Sequence, residues 1–323
     1  MHTGWDDVLT YLRENLEIPE ANRSSYWDYE VAKFGVGDDG TTIGLTTLGT
    51  VSRKTQFSHT VAHWILQWPL RRIGRRYAAY DDCERLARMV AHAQRRQVTQ
   101  DIIRQALALA LIREHIGVEG RDRFNLVIGD GYGVMASLLL LASPERGTIV
   151  VNLTKPLLID MINIRQALPD LRPVLVSTRD DMTHAVANPD IRLISVQADN
   201  APLITEAPVA LAVNVDSMME MDPPVIDEYF RILRGNKAGE TAFYCCSRIY
   251  KKLYDGTEVR FEEFPWRRDD RILHDSVSPW DQWTYNRTPP FWHYRFDRPD
   301  KKRVVWHRLA IFPHDDSLPP FRI

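Results

Sequence analysis

Apolar residues recur at helical spacing through most of the first 120 positions, then give way to short apolar runs separated by helical stretches. Trp5 to Leu16 has the pattern of a short amphipathic helix ended by Pro19. A polar, aromatic stretch follows, Arg23-Ser24-Ser25-Tyr26-Trp27-Asp28-Tyr29. Residues 35–50 are rich in Gly and Thr and read as a loop or hairpin; whether residues 35–55 form a lid stays open. Phe57 to Trp68 reads as a helix that stops at Pro69. Asp81 to Ile116 is the longest periodic stretch: Leu86, Met89, Val90 and Ala93 share one face, as do Ile103, Ala106, Leu107, Ala110 and Leu111. Gly117 and Gly120 close it.

From Phe124 the pattern changes. Phe124–Ile128, Thr148–Asn152, Pro173–Ser177, Val209–Asn214 and Thr241–Ser247 read as buried strands, and Ile191–Gln197 as another strand or part of an excursion. Helices are expected between them: one through Ala142, one capped by Thr154 with Pro156 in its first turn, and one capped by Asp222. Strands alternating with helices over 124–247 predict an α/β, Rossmann-like, doubly wound and mostly parallel sheet. An N-terminal helical region, 1–120, precedes the Rossmann-like domain, 121–323. Its last 75 or so residues carry Trp266, Trp280, Trp283, Trp292 and Trp306 among many Arg, Asp and Pro, and Lys302–Phe312 reads as a strand or hairpin arm.

Composition narrows the class. At 323 residues, 44% hydrophobic and 26% charged, the chain can bury a large core. A formal net charge of −2 creates no general attraction for nucleic acid or membranes. Cys83, Cys245 and Cys246 form neither a disulfide framework nor a zinc pattern, which suits a reducing cytoplasm. The N-terminus has no secretory signal pattern, and the longest apolar run, Val134–Ala142, is too short to span a bilayer. The basic run Arg71-Arg72-Ile73-Gly74-Arg75-Arg76 is isolated and reads as solvated surface or an oligomer contact, so a homo-oligomer stays open.

The chemistry points to Gly129-Asp130-Gly131-Tyr132-Gly133, between a strand and a helix. Its glycines allow positive φ and let a ligand approach the backbone closely. A dinucleotide would set its pyrophosphate on the helix N-terminus and call for Gly-x-Gly-x-x-Gly, and Val134 and Met135 break that spacing. S-adenosylmethionine has no phosphate. It needs the turn plus a polar residue at the end of the next strand for its ribose, where Asn152 stands, 19 positions past Gly133. A tight strand–helix connection with no ligand is the bland alternative.

Ile128 to Gly133 resembles motif I of class I S-adenosylmethionine-dependent methyltransferases. With Asn214-Val215-Asp216-Ser217-Met218-Met219-Glu220-Met221 and Tyr229-Phe230, it also resembles the sugar O-methyltransferase family over residues 80–250. The resemblance implies S-adenosylmethionine contacts at Gly129, Asp130, Gly131, Tyr132, Gly133, Asn152, Leu153 and Asn214, with Asp199 or Asn200 near the adenine. In the family the second strand ends in Asp-Leu-Pro; here it ends in Asn152-Leu153-Thr154.

Methylating a sugar hydroxyl calls for a general base, because the hydroxyl pKa is very high. Glu220 and Asp216 are candidates at the carboxyl end of a central strand, and His274 and His293 in the aromatic C-terminal stretch, with His307 beside them. Trp280, Trp283, Tyr285, Trp292 and Tyr294 suit sugar stacking or a core. His59 and His63 share a helix face without a further ligand and read as ordinary helix histidines. No metal site is expected, with Asp216, Asp269 and Asp270 the carboxylates to inspect. The expected function is S-adenosylmethionine-dependent O-methylation of a sugar or glycosylated small molecule. Small-molecule N- or carboxyl-methylation and a non-catalytic Rossmann-like binding role are the alternatives.

Overall fold

The short strand β1 (His2–Thr3) leads into α1 (Trp5–Glu14), whose buried Trp5, Val8, Leu9 and Leu12 form the stripe that the spacing implies. The computed structural model describes residues 1–37, 42–43, 57–120, 123–237, 239–285, 292–294, 304–319 and 321. After α2 (Ser25–Val31) comes a small hairpin of β2 (Gly35–Val36) and β3 (Thr42–Ile43); the remainder of the 35–55 loop lies outside the described residues. The helices α3 (Phe57–Leu66) and α4 (Trp68–Gly74) break one residue before Trp68. Pro69 therefore opens a helix where it was expected to end one, because a residue without an N–H fits the first turn.

The long periodic stretch is two helices, α5 (Tyr80–Ala93) and α6 (Gln100–His115). Arg95 turns left-handed, at φ 53°, and Arg96 N then reaches back to Ala91 O at 2.8 Å while Arg95 N reaches His92 O at 2.9 Å. This pair of bonds is a Schellman ending. An arginine holds the position that glycine usually marks, so the break has no sequence signal.

Then come β4 (Phe124–Ile128), α7 (Val134–Ala142), β5 (Thr148–Asn152), α8 (Thr154–Ala167), β6 (Pro173–Val176), α9 (Arg179–Ala187), β7 (Leu193–Gln197), β8 (Val209–Val215), α10 (Pro223–Arg234) and β9 (Thr241–Arg248). The tail adds β10 (Tyr250–Lys252), β11 (Glu258–Arg260), β12 (Arg271–Val277), β13 (Trp283–Tyr285), β14 (Trp292–Tyr294) and β15 (Val305–Phe312).

The main sheet runs β1-β6-β7-β5-β4-β8-β9-β15-β12. Strands β6 to β9 are parallel throughout, while β1, β15 and β12 pair antiparallel. This is the Rossmann-like α/β sheet that the pattern predicts. The Ile191–Gln197 stretch is a sheet strand, β7, lying between β5 and β6. From β4 the chain turns to β5 on one side and later returns to β8 on the other. The crevice past the carboxyl end of β4 is thus the switch point where ligands of open α/β sheets bind.

One apolar cluster joins the N-terminal helices to the sheet, with α1 on α8 and α5 and α6 on α7. Thr154 is the first residue of α8 and not its cap; Leu153 holds the cap position. Asp222 stands at the cap of α10 without a capping bond from its side chain. No described helix is long and apolar enough to cross a membrane.

Candidate cofactor and acceptor cleft

Gly129, Gly131 and Gly133 adopt φ of 68°, 89° and 61°. A Cβ on Gly129 would collide with Ser217 Oγ, and one on Gly133 would lie 2.8 Å from Asp160 O. Both positions need glycine for space as well as for backbone conformation. The turn is clamped from behind. Asn214 Nδ2 donates to Ile128 O (2.9 Å) and to Ser217 Oγ (2.7 Å), and its Oδ1 accepts from Met218 N (3.1 Å). Gln94 Nε2 donates to Tyr132 O (3.2 Å), and the Arg96 guanidinium lies 4.2 Å over the Tyr132 ring. The α5–α6 linker therefore buttresses the turn.

Two carboxylates consume the donors that a phosphate would use. Asp130 accepts from Met135 N (3.0 Å) and Ala136 N (2.7 Å) at the start of α7. Asp160, fully buried on α8, accepts from Gly133 N (3.0 Å) and from Asn152 Nδ2 (2.8 Å). Burial pushes Asp130 up to about 6, against the pull of its backbone donors. Burial, reinforced by the charge of Asp130, pushes Asp160 well above the carboxylate range. Interacting this strongly, the pair titrates as a unit.

Gly129, Asp130, Gly131, Asn152, Leu153, Asp216, Ser217, Met219 and Glu220 line one cleft of about 290 Å³. Asn152 is half-committed: its amide donates to Asp160 and its Oδ1 accepts from Leu153 N at 3.0 Å. A carboxylate still reaches this corner, from far off in sequence. Glu20 Oε1 accepts from Thr154 N (2.7 Å) and Thr154 Oγ1 (2.9 Å), and burial raises its pKa.

Glu20 belongs to a strap, residues 20–24, laid over this edge. Asp199 accepts from Ala21 N and Asn22 N, each at 2.9 Å, and Ser24 Oγ donates to Glu220 O at 2.5 Å. Asn22, Ser24 and Trp27 line the cleft. Sequence reasoning missed the strap's role, and the polar aromatic run Arg23–Tyr29 was its only trace.

The far wall comes from distant segments. On α6, Asp101, Arg104, Gln105 and Ala108 follow the i, i+3, i+4, i+7 spacing and face the cleft. On β9 the alternate residues Tyr244, Cys246 and Arg248 do the same, and Trp280 and Asp281 close the end. Arg104 pairs with Asp281 at 3.0 Å and with Asp101 at 3.2 Å. Asp281 also accepts from Ser278 Oγ (2.6 Å) and Cys246 Sγ (3.4 Å). Burial, with Asp281 beside it, pushes the Cys246 thiol well up, so the thiol stays protonated and is no nucleophile. Arg248 is exposed to the cleft, and its side chain makes no hydrogen bond or ion pair with any described residue.

The candidate bases separate. Glu220 lies 2.7 Å from Lys251 Nζ, which in turn sits 3.5 Å over the Tyr26 ring. Burial raises Glu220 and lowers Lys251, each partly offset by the other's charge. Glu220 thus lines the cleft as half of a partly buried ion pair, which is a poor setting for a base. Asp216 lines the cleft at the carboxyl end of β8 with φ 59°, a conformation costly for a residue other than glycine, and its N–H donates to Cys246 O at 2.7 Å.

Other expected contacts lie behind the cleft. Asn214 holds the turn from outside, Tyr132 and Gly133 are its last two residues, and none of the three lines the cleft; Asp199 is spent on the strap, and Asn200 lies beside it off the cleft. His274 sits on β12, away from the cleft lining, 2.9 Å from His307 Nε2 and 2.9 Å from Ser276 Oγ. Burial lowers His274, and it drives His307 down to about 3, which leaves His307 neutral. His293 is paired with Thr284 in the β13–β14 hairpin, and its side chain lies outside the described residues, as do those of His59, Trp283, Tyr285, Trp292 and Tyr294. Asp270 is buried against Arg234 at 2.6 Å, and Arg71 is held by Glu84 at 2.9 Å. Among the described residues no group of three or more His, Cys, Asp or Glu side chains is placed to hold a metal ion.

No family model matches the chain, and no curated protein matches it in sequence. Solved structures follow part of its course. The pyocyanin biosynthetic protein PhzM is 12% identical over 66% of this chain and 57% of its own, with a TM-score of 0.36. The methyltransferase CalO6 is 12% identical over 58% and 56%, with a TM-score of 0.36. Phosphoethanolamine N-methyltransferase 1 of Haemonchus contortus, in complex with phosphoethanolamine and S-adenosylhomocysteine, is 11% identical over 80% and 51%, with a TM-score of 0.36. The chain spans little more than half the length of each. Likenesses of this size describe the course of a chain and nothing of its chemistry.

Proposed function

We propose that this chain is an S-adenosylmethionine-dependent methyltransferase that methylates a hydroxyl of a small molecule, of the sugar or glycosylated-metabolite class. The single observation that carries this reading is the state of the turn. It is open to the cleft through Gly129 and Gly131, while Asp130 and Asp160 already occupy the N–H groups of Gly133, Met135 and Ala136. A pyrophosphate would find those donors taken and a carboxylate in its place, whereas a cationic ligand without phosphate would be attracted. The residues present fit such a ligand: Gly129 and Gly131 leave room for it, the Asn152 amide offers a polar contact, and Leu153 lines the crevice beside it. When bound there, S-adenosylmethionine supplies an electrophilic methyl group.

The chain's own residues would orient the acceptor and take its proton. Asp216 is the base in this reading, since Lys251 holds Glu220. The α6 stripe and the β9 row form the acceptor side, and closeness and alignment of the two ligands supply much of the acceleration. The strap residues Asn22, Ser24 and Trp27 exclude water from one flank. Thermal denaturation with ligands tests the reading: S-adenosylhomocysteine should raise the melting temperature and NAD should not. Stabilisation by NAD alone would overturn it.

A further inference from the structure

Among the described residues of the acceptor side, Arg248 is an arginine without a hydrogen bond or ion pair, within electrostatic reach of Glu220 and Lys251, and Gln105 carries an unmatched polar atom. Arg104 is bound to Asp101 and Asp281, and Lys251 to Glu220, but the exposed Arg248 guanidinium projects into the cleft with no described partner. Its place is fixed by the fold. Tyr244, Cys246 and Arg248 alternate along β9, and β15 holds that strand on its outer side through Val305, registered with Arg248. Across the cleft, Gln105 Oε1 on α6 is buried without a hydrogen-bond partner among the described residues. A buried acceptor left unmatched costs stability, so a ligand donor is its natural complement.

We propose that the acceptor is acidic: a carboxylate or phosphate rests on Arg248, and a hydroxyl or amino group elsewhere in the molecule donates to Gln105 Oε1. The planar fork of an arginine matches an oxyanion in two parallel bonds, which a lysine cannot reproduce. The aromatic faces of Trp27 and Trp280 lie in the same lining and would flank the body of the molecule. The inference rests on the methyltransferase reading for the assignment of this half of the cleft to the acceptor.

Calorimetry on the full chain saturated with S-adenosylhomocysteine tests it, with inorganic phosphate and glycerol 3-phosphate as probes. Arg248→Ala should weaken both by about tenfold or more, and Arg248→Lys should restore part of the loss. Gln105→Leu should weaken glycerol 3-phosphate and leave inorganic phosphate unchanged. Equal phosphate affinity in wild type and Arg248→Ala, or no binding in either, overturns the proposal. S-adenosylhomocysteine is titrated first into the same proteins, so a failure of the cofactor reading registers separately from a failure at Arg248.

Discussion

The two walls of the cleft are built differently. The floor, from Gly129 to Asn152, is a local affair: two adjacent parallel strands, a glycine turn and carboxylates within a few dozen residues. The far wall gathers α6, the end of β8, the β9 row and the Trp280–Asp281 segment, and Asp281 ties Arg104 of α6 to Cys246 of β9. Backbone conformation makes the first, and long-range side-chain pairing makes the second. In the proposed reading the cofactor meets the first wall and the acceptor meets the second.

The largest expected effect breaks the floor alone. Gly131→Arg should abolish S-adenosylhomocysteine binding in calorimetry while circular dichroism shows a folded chain; unchanged affinity in the folded variant would contradict the cofactor assignment. Next in size, Asp216→Asn should lower kcat by about 10²- to 10⁴-fold with cofactor affinity kept, the usual range for losing a positioned base. If Glu220→Gln is the more damaging change, the base assignment between the two carboxylates is reversed.

The far wall can be broken by its network. Asp281→Ala takes from the largely buried Arg104 its carboxylate partner at 3.0 Å, and should cost about 3 kcal/mol in denaturant unfolding. The same measurement on Asp199→Ala, which frees only the exposed strap anchor, should show a much smaller loss.

The smallest effect, and the sharpest contrast, is in pH. His307, beside the far wall, is lowered from 6.5 to about 3, so the unfolded chain binds more protons between those values. Its contribution is whole above 6.5 and is lost as pH falls towards 3. Asp130 in the floor is raised from 3.8 to about 6, so its contribution is whole below 3.8 and is lost as pH rises through 6. The melting temperature of His307→Gln should therefore fall less on acidification than that of wild type. In Asp130→Asn, carboxyl titration followed by NMR should show Asp160 ionising at a lower pH than in the wild type, because a neighbouring negative charge is gone.

What the sequence made legible follows the same division. The strands β4, β5 and β8 and the glycine turn could be read because short apolar runs and positive-φ positions are written locally. The α5–α6 break was hidden because Arg95 takes the left-handed position without a glycine to mark it. Asn214 read as a ligand contact and is a clamp, since its amide finds backbone partners that spacing does not reveal. The strap was invisible because each bond joins residues well over a hundred positions apart, Glu20 to Thr154 and Asn22 to Asp199. Arg248 was passed over, because an arginine at a strand end has no signature until β9 is set opposite α6.

The antiparallel strand β15 gives the molecule an order of completion. The parallel strands can pair as they leave the ribosome, but β15 reaches β9 only after residues 249–304 have been made. Until then the outer edge of β9 stands unpaired, with Leu309 and Phe312 not yet in place to cover it. A nascent chain thus finishes its glycine turn early and the support behind Arg248 late. That interval is when an open strand edge is most exposed to the wrong neighbour.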